Sequence, residues 1–133
     1  MKKGQSATEY LIILSIIIII VGTLMSSAFE MLTSSQIKTR NLQAKDLINE
    51  IGKGSELVFQ EGKNSKTKVF VTIPPGITGY RKTGRTLVMN ISLGDDTVPF
   101  IYPLNFPFTI NLSKSPNNYW LNITSNGTGV IIE

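Results

Sequence analysis

A lone carboxylate, Glu9, stands one residue from a near-continuous apolar run, Leu11 to Met25, behind the residues Lys2-Lys3-Gly4-Gln5-Ser6-Ala7-Thr8. An acidic side chain at the edge of lipid is costly and normally needs a partner. In an ordinary anchor it has no purpose. It gains one if the chain is cut nearby and the cut leaves a group for the carboxylate to meet. Other chemistry is scarce. With no histidine and no cysteine, imidazole and thiolate catalysis, disulfides and most transition-metal sites fall away. Asp95-Asp96 follows Gly94 and reads as a solvated turn with too few oxygen ligands for calcium. Gly76, Gly79 and Gly84 lack the spacing of a phosphate loop. Tyr119-Trp120 suits a sugar-stacking or adhesive patch, or plain strand packing. No catalytic, cofactor-binding or metal-binding residue is expected, so the chain reads as a non-enzyme. Its formal charge of +4 falls to about +2 without Lys2 and Lys3, too small to argue for nucleic acid.

Extended through Phe29, the apolar stretch reaches about 20 residues, enough to span the hydrocarbon of a bilayer. Lys2 and Lys3 favour an N-inside orientation with the remainder outside. A helix is the form in which Ile16 to Ile20, all β-branched, satisfies its backbone in lipid. Gly22 and the small residues from Thr23 to Ala28 offer close approach between neighbouring helices. Ser26-Ser27-Ala28 resembles a secretory cleavage site, and a plain single-pass anchor shares the same topology. Glu9 and the shortness of the basic segment before it argue against the secretory signal, whereas only processing would separate the anchor from a cut chain.

The whole N-terminal arrangement resembles that of type IV prepilins, and the Gly-Gln junction followed by Ser-Ala-Thr-Glu-Tyr is most similar to the archaeal class III signal peptide subgroup. The resemblance implies that Gly4 ends a leader, that a prepilin peptidase cuts before Gln5 on the cytoplasmic side, and that Glu9 is the glutamate used in assembly. It covers the first 30 or so residues strongly and the rest in outline. The Gln5 start departs from bacterial pilins, which usually begin with an aromatic residue. The implied partners are the peptidase, an assembly ATPase, a membrane platform protein and further copies of the chain in a helical filament.

Beyond Met31 the chain turns polar but keeps a helical seam at Ile37, Ala44, Ile48, Ile51, Ser55 and Val58. One helix is expected from about Ser6–Thr8 to Gln60, with Gly62 as its C′ residue. Gly52 and Gly54 each cost about 1 kcal/mol against alanine in a helix, so an end at Gly52 with Leu57 to Phe59 as a strand is the alternative. The first half, apolar all round, must be buried in lipid or among other helices. The second half must lie on the chain's own β domain.

From Lys66 the pattern alternates, as antiparallel strands do. Strands are expected at Lys68–Ile73, Thr86–Leu93, Thr97–Tyr102, Phe108–Leu112, Tyr119–Ser125 and Val130–Ile132, with a turn at Arg81-Lys82-Thr83-Gly84. Asn-x-Ser/Thr sequons, candidates for N-glycosylation, occur at Asn90, Asn111, Asn122 and Asn126. Alternation turns the first three outward, and Asn126-Gly127 is a hairpin-turn dipeptide.

The expected fold is α+β: a long N-terminal helix packed by its second half on a small antiparallel β domain. Residues 1–4 are the leader, 5–30 the transmembrane or filament-core helix, 31–62 its amphipathic continuation and 63–133 the β head. The expected function is that of a structural pilin in an archaeal type IV-like surface filament for adhesion. It would be membrane-inserted as a precursor, with its N-terminus cytoplasmic, and extracellular when mature. The alternatives are a membrane-anchored external β domain, or a minor pilin or pseudopilin of a secretion-like machine.

Overall fold

The computed structural model describes the backbone of residues 2–133 and the side chains of residues 5–133. The fold is α+β. One helix, α1 (Lys2–Glu61), precedes seven strands: β1 (Lys66–Ile73), β2 (Ile77–Thr83), β3 (Thr86–Leu93), β4 (Asp96–Pro103), β5 (Phe108–Ile110), β6 (Asn117–Ser125) and β7 (Val130–Ile132). They form a four-stranded sheet in the order β1-β6-β7-β5 and a three-stranded sheet in the order β2-β3-β4. By packing, the chain divides into a unit ending at Gln36 and a compact unit, Ile37–Glu133.

The helix does not stop at Gly52. Ala44, Leu47, Ile48, Ile51, Ser55 and Val58 are buried on one face and join Val71, Leu87, Ile123 and Ile132 in the core. This seam differs from the expected one at two places. Ile37 remains 37% exposed, and Leu47, not counted in the seam, is buried. The two glycines that weaken the helix in isolation are what let it approach the sheets. A Cβ on Gly52 would run into the Tyr102 ring, and one on Gly54 would lie 2.8 Å from Val69 Cγ2 and 2.9 Å from Ile123 Cδ1. Buried Ser55 satisfies its hydroxyl by donating to the Ile51 carbonyl at 2.7 Å. The helix ends where Gly62 adopts φ +95°, as a left-handed C′ glycine does. Phe59 in the last turn stacks on Phe106, with ring centroids 4.3 Å apart.

The core of Ile37–Glu133 closes without the first half of α1, so a fragment starting at Ile37 should be soluble and unfold cooperatively. In that fragment Gly54→Val gains helix propensity but overpacks the stiff Val69. The expected net loss is about 2 kcal/mol, read from the shift of a urea midpoint. A loss below a few tenths would show that the close approach at Gly54 is dispensable.

The sheets depart from the expected reading in three ways. First, β5 and β7 pair in parallel, Phe108 opposite Val130, whereas the other pairings are antiparallel. Gly129 permits this, because a Cβ there would meet the Pro107 carbonyl oxygen at 2.6 Å. Second, Arg81–Thr83 belong to strand β2, and the turn is only Gly84-Arg85 between the pair Thr83 and Thr86. The polar, glycine-containing sequence of β2 hides it, since this edge strand carries a register shift between Ile77 and Gly79. Third, the β6–β7 connection is a four-residue loop, 126–129, closing on the pair Ser125 and Val130. It is not a two-residue hairpin. Pro99 and Pro103 lie in β4, an edge strand where a missing N–H is tolerated.

Candidate functional site

The first half of α1 is the most unusual surface of the molecule. Of its large apolar side chains between Tyr10 and Leu32, the most shielded, Leu14, is still 38% exposed. The helix is long and apolar enough to cross a membrane. Three of its hydroxyls are accommodated internally: Ser15 donates to the Leu11 carbonyl at 2.7 Å, Thr23 to the Ile20 carbonyl at 2.8 Å and Ser27 to the Thr23 carbonyl at 3.1 Å. That removes the cost of placing them among hydrocarbon. A Cβ added at Gly22 would meet nothing within 4 Å, so no contact inside the chain calls for glycine there.

Gly4 lies within α1, and the side chains of residues 2–4 fall outside the described residues. Gln5 and Glu9 are exposed on the same helix, one turn apart. Gly4, Gln5 and Glu9 thus lie on one continuous helix, just before the apolar segment.

The sequons fall elsewhere. Asn111, Asn122 and Asn126 are exposed, while Asn90 is half-buried on the outer side of β3. Asn126 is committed to its own loop: its Oδ1 accepts from the Thr128 N–H at 3.0 Å, the Thr128 hydroxyl at 3.0 Å and the Gly129 N–H at 2.7 Å. Asp95 and Asp96 are exposed at the β3–β4 turn. Among the described residues, no group of three or more acidic side chains gathers as a metal would require.

Tyr119 and Trp120 are not one patch. Alternation along β6 turns Tyr119 inward and Trp120 outward, where Trp120 stays 65% exposed. Its neighbour is Phe70, directly opposite on β1, with ring centroids 5.1 Å apart. Phe70 was legible in principle, because Val69, Val71 and Ile73 take the inward phase and leave Phe70 outside. Tyr119 instead lies near Tyr80. Burial first, and Tyr119 second, push the Tyr80 hydroxyl up to about 12. Burial, then the adjacent Glu56 carboxylate, also raises Tyr102.

A tyrosine whose folded pKa lies above its unfolded value contributes stability that is intact below pH 10. That stability is lost as the pH rises toward 12, because only the unfolded chain ionises readily in that window. Stability of the Ile37–Glu133 unit should therefore fall between pH 10 and 12, and Tyr80→Phe should flatten the fall. An unchanged slope in denaturant titrations of the variant would contradict this assignment.

Comparison with protein-family models, curated proteins and solved structures finds no match to this chain.

Proposed function

We propose that the chain is the structural subunit of a type IV-like surface filament, made as a membrane-inserted precursor and cut between Gly4 and Gln5. The observation that carries this reading is the contrast between the two parts of α1. From Ile37 onward the helix has a buried face inside a closed core, whereas the segment before it exposes apolar side chains all round. Such a surface requires an apolar environment. Lipid supplies it for the precursor, and the equivalent segments of neighbouring subunits supply it in a filament.

Glu9 favours the filament over simple anchorage. A lipid-embedded anchor gains nothing from a carboxylate at its edge, while a bundle of helices can offer it the freed amine of a neighbouring Gln5. The partners in this reading are a prepilin peptidase, an assembly ATPase, a membrane platform protein and copies of the chain itself. The β domain lies outside the cell and serves adhesion. No part of the reading calls on catalysis or a cofactor.

The second reading is a single-pass membrane protein with an external β domain, favoured by the same apolar helix. Shearing the cell surface separates the two. The filament reading expects the chain as a principal polypeptide of the sheared fraction. Retention of all of it in membranes would support the anchor, and its presence only as a trace in filaments would support a minor subunit.

A further inference from the structure

We infer that Asn122 carries an N-linked glycan whose first sugar is seated on the Trp120–Phe70 platform of the four-stranded sheet. The inference rests on the outward placement of the β domain in the proposed function, and on a separate set of contacts. Trp120, Asn122 and Thr124 occupy alternate positions of β6 and so share its outer face. The sequon's asparagine, its hydroxyl and the exposed indole thus form one row. Asn122 and Trp120 are about 7 Å apart along the strand, within reach of a sugar ring attached to the amide. On β1 the facing residues are Lys68 opposite Asn122 and Phe70 opposite Trp120.

Asn122 also borders a groove that adjoins the aromatic pair without including it. The groove, of about 460 Å³, is lined by Lys66, Thr67, Lys68, Asn122, Thr124 and Glu133. Its donors and acceptors suit sugar hydroxyls, while the negative face of an exposed indole suits the C–H edge of a pyranose. The backbone beneath is fixed: the Asn122 N–H donates to the Glu133 carbonyl at 2.7 Å, and the Glu133 N–H returns a bond at 3.0 Å. The attachment point therefore stands on a hydrogen-bonded strand, among the residues that line the groove.

The other sequons lack this arrangement. Outside α1, the exposed large aromatics among the described residues are Phe70 and Trp120. Asn90 is half-buried opposite Pro99, and the carbonyl oxygen of Asn126 is already shared among three donors of its loop. A bare indole and phenyl on an outward sheet face are otherwise a liability for a secreted domain. The glycan covers them.

The chemistry is transfer from a lipid-linked phosphosugar by a membrane oligosaccharyltransferase. The Asn122 Nδ2 forms a bond to the anomeric carbon. The bond from that carbon to the phosphate oxygen breaks, the lipid phosphate leaves with the electron pair, and the amide proton passes to a base of the transferase.

Trp120 is the only tryptophan in the chain, so its fluorescence reports directly on whether it is covered. The experiment compares full-length wild type, Asn122→Gln and Asn126→Gln, each isolated from the cells that make the protein. Peptide mass mapping should find a glycan on the Asn122 peptide. Acrylamide should quench Trp120 about twofold more strongly in Asn122→Gln than in wild type, as expected if one face of a largely exposed ring is uncovered. Asn126→Gln should quench like wild type. An unmodified Asn122 peptide overturns the inference, as does a glycosylated wild type that quenches like Asn122→Gln. The same mass map reads the N-terminus. An uncut chain with a glycan on Asn122 would refute the filament reading alone, and a cut chain with bare Asn122 would refute the glycan alone.

Discussion

Gly4→Val should leave uncut precursor in the membrane and abolish surface filaments. In the proposed function a peptidase must bring the backbone at the scissile bond against its own catalytic groups, and a residue without Cβ permits that approach. Valine adds a branched, conformationally stiff side chain at the bond itself. Membrane insertion should be unaffected, because the apolar segment from Leu11 to Leu32 is untouched. The expected result is a full-length band in membranes, at wild-type abundance, and no filaments in the sheared fraction. Normal filaments built from Gly4→Val subunits would rule out cleavage at this glycine.

Glu9→Leu should cut normally, insert normally and assemble poorly. Between packed helices, a carboxylate and the neighbouring Gln5 amine replace lost hydration with a charge-assisted hydrogen bond. Removing one partner of such a buried pair costs about 2–5 kcal/mol, largely because the other charge is left unpaired. At about 1.4 kcal/mol per tenfold, filament yield should fall by more than tenfold. Glu9→Gln retains a neutral hydrogen bond, so its loss should be smaller, with irregular filaments. If Gln5 cyclises after cleavage and loses its amine, the partner becomes a hydroxyl such as that of Thr8 or Tyr10 on a neighbouring helix. The gap between the two variants should then narrow. Abundant, well-ordered filaments made only of Glu9→Leu would show that the carboxylate has no part in assembly.

Much of the architecture was legible because two periodicities carry it. The helical seam through Ala44, Ile48, Ile51, Ser55 and Val58 and the alternation through Leu87, Met89 and Ile91 both mark faces that are buried. Thr86–Leu93 and Val130–Ile132 were located to the residue for this reason. What escaped depends on tertiary contacts. Gly52 and Gly54 look like helix breakers until Tyr102, Val69 and Ile123 are seen to occupy the space beside them. Strand β2 lacks an alternating apolar code because it is an edge with a bulge, and its basic residues imitate a turn. The parallel pairing of β5 with β7 brings together strands separated by β6, a relation that local pattern does not encode.

The surface features divide in the same way. The exposed, uniformly apolar helix was evident from the near-continuous run Leu11 to Met25, which has no polar face to turn toward water. The aromatic platform was half legible: Trp120 stood out, but its partner is opposite it in the sheet and not adjacent in the chain. Register supplied Phe70. It also separated Tyr119, which turns to the other face of β6 and lies near Tyr80, both partly buried against the core.

If cleavage converts a membrane precursor into a filament subunit, as proposed, the mass of the N-terminal peptide shows it most directly. In protein sheared from the cell surface, the account predicts a chain beginning at Gln5, as the free amine or its cyclised form, with Lys2 and Lys3 absent. A surface chain still carrying Met1 or Lys2 at its N-terminus would contradict it.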